Sequence, residues 1–449
     1  METKQKTTER EQWGSKTGFL LAAAGSAVGL GNLWKFPYMA GKNGGGVFVF
    51  VYIAILVTIG FTLMAGELTL GRYTQLNALG AYRKISKKLT WVGAMGVLTA
   101  FLILSYYSVI GGWVINYIIK SVTGAISISD TETLGNMFGT MISNPIQPIL
   151  YHAVFMIITL VIVFGGIGDG IEKASKIMMP ALFIMIIALA IRSVTLPGAS
   201  AGLEFFLKPD FSKLSIGLVL DALGQVFFSL SLGMGIIITY GSYLPKNENI
   251  PQSAVFIPVV DTAVALLAGF AILPAVFALG FEPSAGPGLM FVTLPAVFAK
   301  MPFGSLFALL FFVLVLLAAL TSSISLLEVC VSYVVDEWKW SRKKTTMVLA
   351  LAIFLIGVPT SLSFGPWADI KIFGKNFFDL YDFITSNVFL PLGGLMSCIT
   401  IGWVWGTDNA IKEATSNGKV KFALAKVWCF LIKWVAPVAI GIVFYRSIF

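Results

Sequence analysis

Long apolar runs separated by short polar links fill almost the whole 449-residue chain. With about 20 apolar residues needed to cross a bilayer, eleven spans are predicted, near 17–40, 46–72, 90–122, 148–167, 175–194, 217–243, 252–280, 303–334, 345–364, 378–405 and 420–445. Backbone groups inside hydrocarbon must be paired within their own segment, so the expected fold class is all-α integral membrane. The polar pieces 123–147, 195–216 and 281–302 are predicted external loops and 406–419 a cytoplasmic one. None has the length or composition of a soluble domain, so 1–449 reads as a single membrane domain.

Two spans interrupt the apolar pattern. Span 1 contains Gly25-Ser26-Ala27-Val28-Gly29-Leu30-Gly31-Asn32, followed by Leu33-Trp34-Lys35-Phe36-Pro37. Its three glycines are poor helix formers and let a ligand approach the backbone closely. Span 6 contains Gly224-Gln225-Val226-Phe227-Phe228-Ser229-Leu230-Ser231-Leu232-Gly233-Met234-Gly235. If span 6 corresponds to span 1, spans 1–5 (about 17–194) and 6–10 (about 217–405) form two halves of five, with span 11 (about 420–445) added. Five is odd, so the halves enter the membrane from opposite sides as a 5+5 inverted repeat. Paired broken helices in such a repeat mark a binding site at the bilayer midplane.

Composition agrees: 57% of residues are hydrophobic and only 12% charged, about half the charge fraction of a soluble protein. The net charge of +9 does not form a nucleic-acid-binding face. Its cations cluster in alternate loops, at Lys4/Lys6/Arg10, Arg83/Lys84/Lys87/Lys88, Lys173/Lys176, Lys339/Arg342/Lys343/Lys344 and Lys412/Lys419/Lys421. By the positive-inside rule the N-terminus is cytoplasmic and, with eleven spans, the C-terminus is outside; Lys208 and Lys213 lie on the outer side against this trend. No cleavable signal peptide is expected. Cys330, Cys398 and Cys429 show no metal or disulfide spacing and read as packing residues. The lone His152 has no partner legible in the sequence and reads as structural. No nucleophile–base pair or metal-ligand cluster suggests an enzyme.

A helix broken at mid-membrane exposes N–H groups suited to a carboxylate and C=O groups suited to a hard cation. Asn32, Ser229 and Asp261 add side-chain oxygens, and Ala318-x-x-Thr321-Ser322 puts a carbonyl and two hydroxyls on one helix face. Ser and Thr in membrane helices more often bond their own backbone, so the Thr-Ser pair alone is weak evidence. Asp261 differs, because a carboxylate in the apolar run 256–273 is costly and by default functional. Glu328 has the same standing, but no partner for it can be read from the sequence, and it stays outside the predicted site.

With these residues assembled, the chain resembles bacterial members of the neurotransmitter:sodium symporter family, with the leucine-transporter fold. The resemblance rests on Arg10-Glu11-x-Trp13, the span 1 break, Asn43-Gly44-Gly45-Gly46, Tyr106-Tyr107, Gly224-Gln225-x-Phe227-Phe228-Ser229-Leu230-Ser231 and Leu320-Thr321-Ser322-Ser323, in order from Arg10 onward. It implies two sodium sites. The first takes Ala27, Asn32, Ser229, Asp261 and the substrate carboxylate; the second takes Gly25, Val28, Ala318, Thr321 and Ser322. The substrate carboxylate would meet the Leu30 and Gly31 amides and the Tyr107 hydroxyl. The ammonium would meet carbonyls of Ala27, Phe228 and Ser229 and the Ser231 hydroxyl. Ile103, Tyr107, Phe228, Met234, Ser322 and Leu326 would enclose the side chain. The resemblance further implies an outer gate of Tyr107 and Phe228 beneath Lys35 facing Asp382. A cytoplasmic gate would comprise Arg10 with Asp336, plus Trp13, Ser242 and Tyr243.

Four departures refine what the resemblance implies. Gly29 stands where monoamine transporters carry an aspartate, so a substrate bearing its own carboxylate, an α-amino acid, is expected. Asp261 and Ala265 stand where chloride-dependent relatives have asparagine and serine, so no chloride requirement is expected. Lys35 replaces an arginine and cannot fork onto Asp382, which predicts a looser outer gate. Met234 replaces the phenylalanine of the leucine-preferring relative, and its flexibility predicts a hydrophobic and aromatic substrate range. The expected activity is therefore Na⁺-coupled, chloride-independent amino acid symport by alternating access in a bacterial plasma membrane, with no nucleic-acid partner and with homodimer formation left open. The alternatives are a proton-coupled transporter or exchanger of the same fold, or a non-transporting amino acid receptor.

Overall fold

The computed structural model describes residues 11–281 and 287–448, and the fold within them is entirely helical. Nine of the helices described are long and apolar enough to cross a membrane: Gly46–Thr74, Lys87–Val122, Gln147–Phe164, Ile167–Val194, Ile250–Ala278, Gly304–Trp338, Arg342–Leu362, Phe377–Val404 and Ala425–Ile448. They fill the places of expected spans 2–5 and 7–11. The pair Lys16–Ala27 and Gly31–Lys42, bent by 48°, makes span 1. Span 6 is two short helices, Ile216–Ser229 and Ile236–Ser242, neither long enough to cross alone.

Both breaks fall where the glycine-rich segments predicted them. In span 6 the chain leaves the helix through Ser231 at φ +56°, Gly233 at +77° and Gly235 at +80°. These left-handed conformations are cheap for glycine and costly for other residues. A Cβ on Gly233 would also stand 2.6 Å from the Leu390 carbonyl oxygen of span 10.

The predicted loops are more structured than expected. Thr131–Ser143, Ala199–Leu207 and Thr407–Ala414 are short helices. Leu289–Ala299, expected in an external loop, is buried and packs Phe291 against Trp113, Tyr117 and Phe138. Its apolar sequence, Leu289-Met290-Phe291-Val292, is too hydrophobic to remain on a polar surface. Large aliphatic side chains such as Ile157, Ile184, Val259 and Val438 are exposed on the outer faces of their spans, as lipid contact requires. His152 does have a partner: the buried ring nitrogen Nε2 lies 2.8 Å from the Ser108 hydroxyl in span 3.

Candidate functional site

The two breaks face one another across a small cavity. It is lined by Ser26, Ala27, Gly29, Leu30 and Gly31 of span 1, Ile103 and Tyr107 of span 3, Phe228, Ser231, Met234 and Ile236 of span 6, and Ser322 and Leu326 of span 8. Every residue predicted to bind substrate lines it except Ser229, whose hydroxyl points instead to Asp261. The cavity volume is about 30 Å³, roughly that of one water molecule. An amino acid side chain therefore enters only as the lining side chains swing aside.

Hydrogen bonds fix the walls. The Leu30 amide donates to the Tyr107 hydroxyl at 3.3 Å, so an incoming carboxylate between them finds two donors side by side. The Ser26 carbonyl accepts from the Ser231 and Ser322 hydroxyls, each at 3.1 Å. The Ser26 hydroxyl donates to Ser325 at 2.7 Å. Gly29 leaves no spare room: a Cβ there would stand 2.4 Å from Ser322 Oγ and 3.0 Å from Tyr107 Oη.

Beside the cavity, buried Asp261 receives three side-chain donors. Asn32 Nδ2 donates at 2.7 Å, the Ser229 hydroxyl at 2.9 Å to both carboxylate oxygens, and Tyr52 of span 2 at 3.2 Å. Asn32 Oδ1 accepts from the Gly29 amide at 3.1 Å. Such donors offset the cost of burying a carboxylate. They also leave its charge facing oxygen-bearing groups that can turn toward a hard cation. Asn32, Ser229 and Asp261 are thus brought together, with Ala27 adjacent on the cavity wall.

The second predicted cation group is assembled in part. The Thr321 hydroxyl lies 2.9 Å from the Ala318 carbonyl and 3.3 Å from that of Val28. A Cβ on Gly25 would stand 3.3 Å from Thr321 Cβ. Ser322, one residue on, turns its hydroxyl to Ser26 on the cavity side.

Leu30, Tyr107 and Phe228 line both this cavity and a second, outer one of about 160 Å³, so they form the wall between the two. Lys35 Nζ lies 4.4 Å above the centre of the Phe228 ring. Asp382 also borders the outer cavity, but its Oδ1 accepts from Tyr106 at 3.2 Å and Ser386 at 2.8 Å. Among the described residues Lys35 and Asp382 form no direct ion pair.

At the opposite end, the Trp13 indole donates to the Tyr240 carbonyl at 3.0 Å, and its ring meets Tyr243 edge-on at 6.3 Å. Ser242 bonds its own helix at Thr239. Asp336 accepts from the Asn77 amide at 2.9 Å; its predicted partner Arg10 lies outside the described residues. Glu328, left without a partner by the sequence, is fully buried and paired with Arg342, and it accepts from the Tyr243 hydroxyl at 2.7 Å.

Sequence reasoning missed three further residues at the breaks. Gln225 donates to the Gly31 carbonyl at 2.8 Å, tying the two interrupted helices together. Glu67 accepts from the Gly233 amide at 3.0 Å and from Ser397 at 2.9 Å. Tyr52 reaches Asp261 as described. A glutamate in the apolar stretch of span 2 was a readable signal; an amphipathic Tyr52 and a motif-bound Gln225 were not.

The profile of the sodium:neurotransmitter symporter family matches residues 10–137 and 142–449. The chain belongs to the sodium:neurotransmitter symporter family. It is 44% identical to YhdH, an uncharacterized sodium-dependent transporter of Bacillus subtilis, over 97% of both chains. It is 40% identical to an uncharacterized sodium-dependent transporter of Haemophilus influenzae, over 98% of this chain and 99% of the other. Among solved structures it resembles MhsT, crystallised in complex with L-phenylalanine, at 46% identity and TM-score 0.90, covering 98% of this chain and 100% of that one. The protein is thus a sodium-dependent membrane transporter rather than an enzyme, with the fold expected of the family.

Proposed function

We propose that the chain imports hydrophobic and aromatic L-α-amino acids together with two sodium ions, independently of chloride, by alternating access across a bacterial plasma membrane. The observation that carries this reading is the buried Asp261 carboxylate, held by Asn32, Ser229 and Tyr52 directly beside the cavity between the broken helices. It supplies a fixed negative charge next to the first sodium, where chloride-dependent relatives would need an anion. The second sodium is assigned to Gly25, Val28, Ala318 and Thr321, with Ser322 joining by turning from Ser26.

Substrate class follows from the walls. The space at Gly29 is filled by Ser322 and Tyr107, so no side-chain carboxylate can stand there to hold an amine. The substrate must then bring its own carboxylate to the Leu30 and Gly31 amides. Met234 and Phe228 supply adaptable apolar cover, and binding of L-phenylalanine by MhsT, whose backbone is closely similar, supports an aromatic range.

In transport, sodium and substrate enter from outside. Phe228 and Tyr107 close over them, with Lys35 resting on Phe228. Spans 1, 2, 6 and 7 then rock, and the Trp13, Tyr243 and Glu328–Arg342 contacts open inward. Each sodium falling through 100 mV contributes about 2.3 kcal/mol to accumulation. The orientation that fits is a cytoplasmic N-terminus and an external C-terminus.

The test is uptake of labelled tyrosine into proteoliposomes with and without an inward Na⁺ gradient, with unlabelled competitors. Accumulation that requires Na⁺ and is blocked by Trp, Phe or Leu but not by tyramine is the expected result. Uptake indifferent to Na⁺ overturns the assignment of both sodium sites.

A further inference from the structure

An almost wholly apolar opening lies away from the transport cavity. It is a groove of about 280 Å³ among spans 3, 8 and 9, walled by Leu98, Phe101, Val334 and Val348. All four belong to membrane-spanning segments, so the surrounding solvent is lipid. At about 30 Å³ per water, and with a methylene of similar size, the groove holds a stretch of acyl chain about nine methylenes long.

Its mouth is basic and aromatic. Span 8 ends at Trp338 and span 9 begins at Arg342, and Trp338 and Trp340 of this turn border the groove. Exposed Lys344 holds Nζ 4.2 Å over the Trp340 ring, with exposed Lys339 and Lys343 on the same turn. Lysines beside an interfacial tryptophan are placed at the headgroup level of a membrane.

One polar group lies in the apolar wall. Thr345 lines the groove, is fully buried, and its hydroxyl has no hydrogen-bond partner. A buried hydroxyl without a partner is costly. Thr345 is three residues past the start of span 9, about 4.5 Å along the helix axis at 1.5 Å per residue. That depth is where a phospholipid's ester carbonyl lies beneath its phosphate. Threonine in a helix has two accessible χ1 rotamers, so its hydroxyl can turn to such an acceptor.

We propose that this groove is a binding site for an anionic phospholipid, with one acyl chain between spans 3, 8 and 9, an ester carbonyl at Thr345 and the phosphate near Lys343 and Lys344. Span 8 carries Thr321 and Glu328 on the same helix, so an occupied groove braces the element that borders both the transport cavity and the inner gate.

Native mass spectrometry of the full-length protein, released from mild detergent with added phosphatidylglycerol or phosphatidylcholine, tests this. The wild type is expected to retain phosphatidylglycerol in preference to phosphatidylcholine. Lys343→Gln/Lys344→Gln, two surface changes, should weaken phosphatidylglycerol retention by about tenfold or more. Ala94→Trp, which fills the groove, should abolish it, with binding of a hydrophobic amino acid retained as a check on folding. Equal retention of the two lipids, or unchanged retention in the lysine variant, overturns the proposal. So does a dimer mass that Ala94→Trp dissociates without any lipid adduct, since the groove would then be covered by a second copy of the chain.

Discussion

The sharpest test of the cavity's architecture is Gly29→Ala. The added methyl would stand 2.4 Å from Ser322 Oγ and 3.0 Å from Tyr107 Oη, where non-bonded atoms prefer about 3.5–4.0 Å. Ser322 must retreat by about an ångström, which breaks its 3.1 Å bond to the Ser26 carbonyl. Overpacking of this kind costs roughly 1–3 kcal/mol, and the lost hydrogen bond adds about 1 kcal/mol. If the total of about 2–4 kcal/mol falls on the substrate-bound state, affinity drops roughly 30- to 1,000-fold at 1.4 kcal/mol per decade.

The assay is equilibrium binding of labelled phenylalanine at saturating Na⁺, run as a double-mutant cycle. Ser322→Ala removes the oxygen that clashes and leaves Ser322 Cβ at 3.4 Å, an ordinary contact. Added to Gly29→Ala, it should restore affinity to within about tenfold of the wild type, with Tyr107 yielding the few tenths of an ångström still needed. The two changes are therefore expected to be non-additive by more than about 1 kcal/mol. Gly29→Ala within threefold of wild type, or losses that simply add in the double variant, would refute the claim that Ser322 occupies the space beside Gly29.

Met234→Phe, in the lining of the cavity, should shift competition toward Leu and Ile and away from Trp and Tyr; an unchanged profile would remove Met234 from the specificity argument. Asp261→Asn takes the charge from three hydrogen bonds, each worth roughly 1.5–3 kcal/mol when charged. Half-saturation for Na⁺ in uptake should rise roughly tenfold to a hundredfold, and a value that does not move would show that the carboxylate is no sodium ligand. Replacing chloride by gluconate should leave uptake by the unaltered protein unchanged, whereas a collapse would mean that Asp261 does not substitute for the anion. Glu328→Gln strands the Arg342 guanidinium, whose side chain is only 17% exposed. A lost partner in a buried pair costs about 3 kcal/mol or more, tempered here by Glu11 at 3.6 Å. The melting temperature should therefore fall, and Glu328→Gln/Arg342→Met should recover much of the loss; a double variant no more stable than the single one would refute the pairing argument.

The breaks in spans 1 and 6 were legible because glycines weaken a helix and polar residues are costly inside an apolar run, so their clustering marks where a membrane helix gives way. Asp261, Asn32 and Ser229 were legible for the same reason: each is expensive where it stands. What sequence could not supply was direction. Arg342 entered the positive-inside tally as one of several loop cations, yet it turns inward to Glu328, and only tertiary packing brings the two together. Ser322 was expected both beside Thr321 at a cation and on the cavity wall, but neighbours on a helix point about 100° apart, and its hydroxyl is turned to the wall. Tyr52 looked like one more interfacial or packing aromatic, because nothing in span 2 signals that its hydroxyl meets a carboxylate 209 residues away.

Two of the missed residues, Gln225 and Glu67, share one task with Asn32, and it explains how a strained backbone persists in the membrane. A broken helix leaves peptide groups whose desolvation costs several kcal/mol each unless they are paired. Gln225 caps the Gly31 carbonyl, Glu67 caps the Gly233 amide, and Asn32 caps the Gly29 amide. Those groups are held by amide and carboxylate side chains. On the cavity side the caps are hydroxyls, Tyr107 on the Leu30 amide and Ser231 and Ser322 on the Ser26 carbonyl. A hydroxyl can rotate and hand its partner to an incoming group, whereas Gln225 and Glu67 hold theirs from neighbouring helices. The division accounts for a fold that keeps both breaks intact while the groups facing the cavity remain exchangeable, as the proposed amino acid substrate requires.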